Sequence, residues 1–193
     1  MSQDVNEAVF VVDMQAGFFE DEPLSSRREE LVDAVNRLTA AARRVGLPVF
    51  VITTVHSRDR STWTLNMLDD DQGYLFAGDP TTELVEGLDT QDATRVEKTR
   101  DSAWFGTDLH LRLKNLAVDR VVLVGVSTHL CIVQTARDGY AMNTRMSVVT
   151  DAVATERPDY EETVLQQLVD DRQATLETAD EVIARWSTAD AAS

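Results

Sequence analysis

Asp13, Lys98 and Cys131 are three residue types that together can open an acyl carbon, and they stand far apart in this chain. Cys131 is its only cysteine. It follows Val121-Val122-Leu123-Val124, an apolar run that reads as a buried parallel strand broken by Gly125. Ser127 and Thr128 are N-cap types, and a helical pattern continues through Ile132, Ala136 and Tyr140. The cysteine is therefore expected in the first turn of a helix, where unpaired N–H groups and the helix dipole favour a thiolate. Asp13 follows the apolar run 8–12, and Lys98 closes a weaker strand pattern at 94–98. A carboxylate beside a thiol can take its proton, and a nearby ammonium favours both anions. Helix-start N–H groups beside Cys131 would cradle the oxyanion formed when sulfur attacks a carbonyl carbon.

Only a parallel sheet brings these three together. Leu31, Val35, Leu38, Ala42 and Val45 recur at helical spacing and stop at Gly46 and Pro48. A second strand follows at 49–52, then an irregular stretch at about 54–79 holding Trp63, Tyr74 and Phe76. A loop that long in a compact domain is usually a lid or an oligomer contact. A short helix is expected at 83–88, a helix through Leu109, Leu113 and Leu116, and a fifth strand at 146–149 ending near Asp151. A helix bearing Tyr160, Leu165 and Leu168, a short strand at 174–176 and a last helix through Trp186 complete the pattern, with the tail from Ser187 frayed. Strands alternating with helices imply a mostly parallel sheet covered on both faces, with its C-terminal strand ends on one rim. Ligands bind outside that rim where the strand order reverses.

Composition narrows the partners. At 193 residues and 43% hydrophobic, the chain is expected to be one domain, its core spanning about 8–186. Its formal net charge of −16 repels nucleic acid and anionic membranes, so neither is expected as a partner. Lys98 and Lys114 are the only lysines; that scarcity suits a high-salt cytoplasm, and an Arg- and Asp-rich genome gives the same bias. The start at residues 1–4 is polar and lacks the order of a signal peptide, and a single cysteine suits a reducing compartment, so a cytoplasmic location is expected.

Taken singly, each candidate has a plainer reading. A lone cysteine is commonly a small core hydrophobe. Asp13 can cap a turn, Lys98 can be a solvated strand end, and Trp104 can be core. Trp63 and Tyr74 can bury a subunit contact, and His56 and His129 read as structural or peripheral. The three strand-end positions taken together are what favour chemistry.

Asp13-Met14-Gln15 after a strand, Lys98 followed by Ser102-Ala103-Trp104-Phe105-Gly106, and Gly125-Val126-Ser127-Thr128 leading to Cys131 resemble, in order and spacing, the isochorismatase-like cysteine hydrolase superfamily. The resemblance runs from about residue 8 to 168. It implies a three-layer α/β/α sandwich on a six-stranded, mostly parallel, Rossmann-like sheet. Asp13 would be the general base, Lys98 the supporting cation and Cys131 the nucleophile. A non-proline cis peptide at Val126–Ser127 would aim the Ser127 N–H, with that of Cys131, at the substrate oxygen. Phe18, Trp63, Trp104 and Gln15 would contact substrate.

The reaction so implied is hydrolysis of the C–N bond of a small amide or ureido compound through a thioester, by a homo-oligomer (dimer or tetramer). No cofactor is expected. Members that hold a metal use an Asp and two His after the second strand, and this chain offers His56 and Asp59 without a second His before His110. Two alternatives stay open. One is vinyl-ether hydrolysis with Asp13 as acid and Cys131 as a bystander. The other is a catalytically silent α/β module that binds a partner or metabolite.

Overall fold

The computed structural model describes residues 6–190, with side chains through 188; the polar start at 1–4 and the end of the tail lie outside the described residues. Six strands form one parallel sheet: β1 (Glu7–Val12), β2 (Val49–Thr54), β3 (Thr94–Lys98), β4 (Arg120–Val126), β5 (Arg145–Ala154) and β6 (Thr175–Glu177), ordered β3-β2-β1-β4-β5-β6. The expected fold class is the observed one. The chain runs outward from β1 to β3, returns to β4 beside β1 and runs outward again, so the order reverses between β1 and β4.

Because strand side chains alternate, each strand feeds two cores. Val9, Val11, Val51, Val122 and Val124 pack under α1 (Leu24–Arg44) and the C-terminal helix Ala179–Asp190. Phe10, Ile52, Val121, Leu123 and Val148 pack under the helices Leu109–Asn115, Val133–Ala141 and Pro158–Asp170. In chain order after α1, the helices are α2 (Leu65–Asp69), α3 (Leu109–Asn115), α4 (Val133–Ala141), α5 (Pro158–Asp170) and α6 (Ala179–Asp190).

Several sequence expectations are corrected. Gly125 does not end β4: the strand continues through it to Val126. Gly125 lies at φ +110°, and a Cβ there would stand 2.0 Å from the Val12 carbonyl oxygen, so the glycine lets β1 and β4 approach at the reversal point. β5 extends past Asp151 to Ala154 across a bulge. From the pair Leu123/Val148 to the pair Gly125/Val153, β4 advances two residues and β5 five. The polar Thr150 and Asp151 fall in that bulge, and the Asp151 carboxylate accepts from the Ala179 N–H at the start of α6 (2.8 Å).

Residues 83–88 are not helical. Val85 N–H donates to the Met14 carbonyl (3.0 Å), Leu84 bridges Gln15, and Gly87 turns the chain at φ +86°. The helix of that region is instead a short 3₁₀ turn at Pro80–Thr82. The tail beyond Ser187 continues α6 as far as Asp190.

Candidate functional site

Asp13, Lys98 and Cys131 meet at the C-terminal rim beside the β1/β4 reversal. Asp13 leaves β1 in the left-handed region (φ 52°), which Asp tolerates better than most residues, and its N–H is held by the Ile52 carbonyl (2.8 Å). Lys98 ends β3, two strands from β1, so its side chain must cross the end of β2. There it meets Thr54, its register partner. The ammonium donates to Thr54 Oγ1 (2.7 Å), stands 2.7 Å from Asp13 Oδ2 and donates to Cys131 Sγ (3.4 Å). Thr54 Oγ1 donates in turn to Asp13 Oδ1 (2.9 Å). The Asp13 and Lys98 side chains are wholly enclosed.

Asp13 Oδ2 is close enough to the ammonium for an ion pair but makes no well-aligned hydrogen bond. That oxygen is the one left to receive a proton.

Burial works against the Lys98 cation, but the Asp13 charge and then Cys131 outweigh it and raise its pKa. The thiol behaves the other way. Burial first, then the Asp13 charge, push Cys131 well above the ordinary thiol range, with Lys98 only partly opposing. Asp13 and Lys98 are placed as an ion pair, and enclosure beside Asp13 shifts Cys131 toward its neutral form, opposite in direction to the effect expected of a helix start. The local geometry agrees. Cys131 lies in a π-helical turn, Thr128–Ile132, that precedes α4, rather than in the first turn of an α-helix. Ser127 is extended and makes no side-chain cap; its hydroxyl donates to Glu156. The Val126–Ser127 peptide is cis, as the resemblance implied.

Because the chain has one cysteine, its ionisation can be read directly. The thiolate absorbance at 240 nm, taken as wild type minus Cys131→Ser, is expected to be absent at pH 7 and to emerge only at more alkaline pH than in a free cysteine peptide. Full absorbance at pH 7 would restore the resting thiolate.

A cavity of about 250 Å³ opens above the sulfur. Thr54, His56, Thr64 and Tyr74 of the 54–79 stretch form one side, so that stretch does cover the site. Thr99, Arg100 and Asp101 follow Lys98 on another, and Phe18, Ser127, Leu130 and Glu156 complete the wall. His56 is buried and its Nδ1–H donates to the Thr62 carbonyl (3.0 Å), leaving Nε2 as an acceptor. Burial lowers its pKa, with Arg100 and Lys98 adding to that against the Thr62 hydrogen bond. Tyr74 is half exposed as a residue, yet burial of its phenol, with the Asp101 and Asp13 carboxylates nearby, pushes it up to about 12.

Among the four expected substrate contacts, only Phe18 lies on this wall. Gln15 is wholly buried: its amide donates to the Thr54 and Thr82 carbonyls (2.9 and 3.1 Å) and accepts from the Thr54 N–H (2.7 Å), fixing the end of β2. Trp104 packs against Phe10 with centroids 5.4 Å apart and donates from Nε1 to the Thr135 carbonyl (2.9 Å), so it belongs to the core. Trp63 lies behind Arg100, its indole N–H on the Ser57 carbonyl (2.9 Å) and its carbonyl accepting from Arg100 (3.3 Å).

The residues missed by sequence reasoning are Thr54, His56, Arg100, Asp101 and Glu156. Their one signal is position, each lying within a few residues of an expected strand end. His129, assigned no role above, has its Nδ1 2.6 Å from Thr155 Oγ1 and stacks on Tyr160 (6.2 Å), steadying the segment that carries Glu156.

The metal set that some relatives of the resembled superfamily use does not fit here. No second histidine follows His56 before His110, so the set is incomplete. Among the described residues no group of three or more His, Cys, Asp or Glu could hold a metal ion. A larger cavity, about 890 Å³, lies at the opposite end of the sheet, near the starts of β4, β5 and β6, and contains none of the converging residues. No helix among the described residues is long and apolar enough to cross a membrane.

The family profile described as the isochorismatase domain matches residues 7–181. A probable inactive nicotinamidase of Arabidopsis thaliana is 33% identical over 163 residues, covering 80% of this chain and 83% of its own. The crystal structure of a cysteine hydrolase from Pseudomonas syringae pv. phaseolicola 1448A superposes with a TM-score of 0.85 at 26% identity, covering 96% of this chain and 94% of that one. That of N-carbamoylsarcosine amidase from Thermoplasma acidophilum does so with a TM-score of 0.77 at 26% identity, covering 91% and 97%.

Proposed function

The chain belongs to the isochorismatase family, and from that premise we propose that it is a cysteine-dependent amidohydrolase acting on the C–N bond of a small amide or ureido compound. The observation that carries this reading is the Asp13–Lys98–Cys131 convergence, with the sulfur on the wall of a small cavity at the sheet's reversal point and the ion pair enclosed behind it. The names of similar proteins, an amidase and a cysteine hydrolase among them, support it.

In this reading Asp13 takes the thiol proton as Cys131 Sγ attacks the carbonyl carbon. Lys98 stays protonated and holds both partners. The N–H groups of Ser127 and Cys131 donate to the oxyanion. Asp13 returns the proton to the departing nitrogen, ammonia or an amine leaves, and a thioester remains. Water then attacks the thioester carbon with Asp13 again as base. The thiol is restored and a carboxylic acid, or from a ureido carbonyl a carbamic acid, departs. A neutral resting thiol suits this sequence, because the proton moves only as the bond to carbon forms.

The test is ammonia release from a panel of small amides and ureido acids, with and without chelator. Cys131-dependent release that is indifferent to chelator is expected. A large loss on chelation would bring a metal into the reaction. Release from no member of the panel would favour the silent-module reading, which the name of the probable inactive Arabidopsis relative also supports. A homo-oligomer stays part of the proposal, and light scattering at the mass of a single chain would remove it.

A further inference from the structure

The charges on the cavity wall are unequal. Arg100 is its one Lys or Arg; Asp101 and Glu156 are its carboxylates. Three of the five Arg100 N–H donors are taken by backbone carbonyls: Nη1 donates to those of Thr62 and Thr99 (2.8 and 2.6 Å) and Nη2 to that of Trp63 (3.3 Å). Asp101 and Glu156 form no ion pair with Lys or Arg within 4.0 Å among the described residues; His129 Nε2 stands 3.8 Å from Glu156 Oε1. Behind the wall, Asp13 and Lys98 cancel. Phe18 and Tyr74 add aromatic surface beside the carboxylates, and an aromatic ring face attracts a cation.

We infer that the site selects amides whose non-reacting end carries a positive charge, and rejects those bearing a carboxylate, with Asp101 and Glu156 setting the preference. This rests on the amidohydrolase reading for the identity of the reacting group, but not for the charge of the cavity. A carboxylate substrate would meet two carboxylates against one guanidinium, most of whose donors are already held by backbone carbonyls. An ammonium group would meet two acceptors and two rings. The selected substrates are therefore small amides or ureido compounds with an amine or quaternary ammonium group.

Cys131 reports the charge of its surroundings without turnover. Its rates with the cationic 2-(trimethylammonium)ethyl and the anionic 2-sulfonatoethyl methanethiosulfonates are each divided by the rate for 2-mercaptoethanol at about 0.15 M salt, which screens the distant surface. The cation is expected to be favoured by at least about tenfold. The double variant Asp101→Asn/Glu156→Gln should bring the ratio near unity. The remote triple variant Asp69→Asn/Asp70→Asn/Asp71→Asn should leave it unchanged. A wild-type ratio at or below unity overturns the inference, as does a triple variant that lowers it as much as the double. Cationic amides should then show higher kcat/KM than carboxylate-bearing amides of equal size, and equal values overturn the substrate assignment. A preserved thiol ratio with no amide turned over overturns the amidohydrolase reading while the cavity's selectivity stands.

Discussion

Cys131→Ala is expected to lower amide turnover by at least about 10⁴-fold, because no other group in the site can form the thioester. The fold should survive. The lost sulfur is small and at the edge of a core cluster, so a cost of about 1 kcal/mol is expected. Ammonia release in single-turnover mode, beside a urea titration, separates the two effects. Cys131→Ser adds a second arm: the hydroxyl keeps a donor and an acceptor next to Lys98, but Asp13 is too weak a base to activate an alcohol. It should be as inactive as the alanine variant. Substantial activity in the serine form would mean that Asp13 acts directly on substrate or water, which is the role it would have in vinyl-ether hydrolysis.

Asp13→Asn should lose about 10³-fold or more in turnover, having no proton acceptor, and about 3–5 kcal/mol of stability, because Lys98 is left buried without its anion. Asparagine keeps the side-chain shape and the tolerance for φ 52°, so the backbone is not the cause. The pH dependence identifies the cause. In wild type the folded-state pKa of Lys98 lies above its unfolded value, so its contribution is fully present below about pH 10 and is lost only as pH rises through the folded value. Without Asp13, burial dominates and that pKa falls below the unfolded one. The unfolded chain then binds more protons, and stability rises with pH. Urea midpoints between about pH 7 and 8 should therefore be nearly flat for wild type and climb for Asp13→Asn. Parallel curves would show that Lys98 is not held by Asp13.

The three converging groups were legible because each closes a strand recognisable by its apolar run, and a parallel sheet puts such ends on one rim. Thr54 was not. It lies two residues past the apolar part of β2, where a threonine reads as solvated, and only the sheet order shows that Lys98 must pass over it to reach β1. Trp104 and Trp63 went the other way: large aromatics near a site attract a substrate role, while both indole N–H groups are engaged by backbone carbonyls. The direction of the thiol's pKa shift was hidden for a similar reason. Sequence position gave a helix start, but enclosure and the neighbouring Asp13 decide the charge. The bulge in β5 had no signal beyond two polar residues in an apolar run, and those same residues made the strand look finished.

The enclosed, uncharged thiol also bears on how the protein ages. Peroxide attacks thiolates, and the step beyond sulfenic acid is largely irreversible. Cys131 is 6% exposed, burial pushes its thiol pKa up, and it has no second cysteine in its chain to form an internal disulfide with. A thiol held toward its neutral form offers little to an oxidant. The protein should keep its sulfur reduced through prolonged handling in air, without an added reductant.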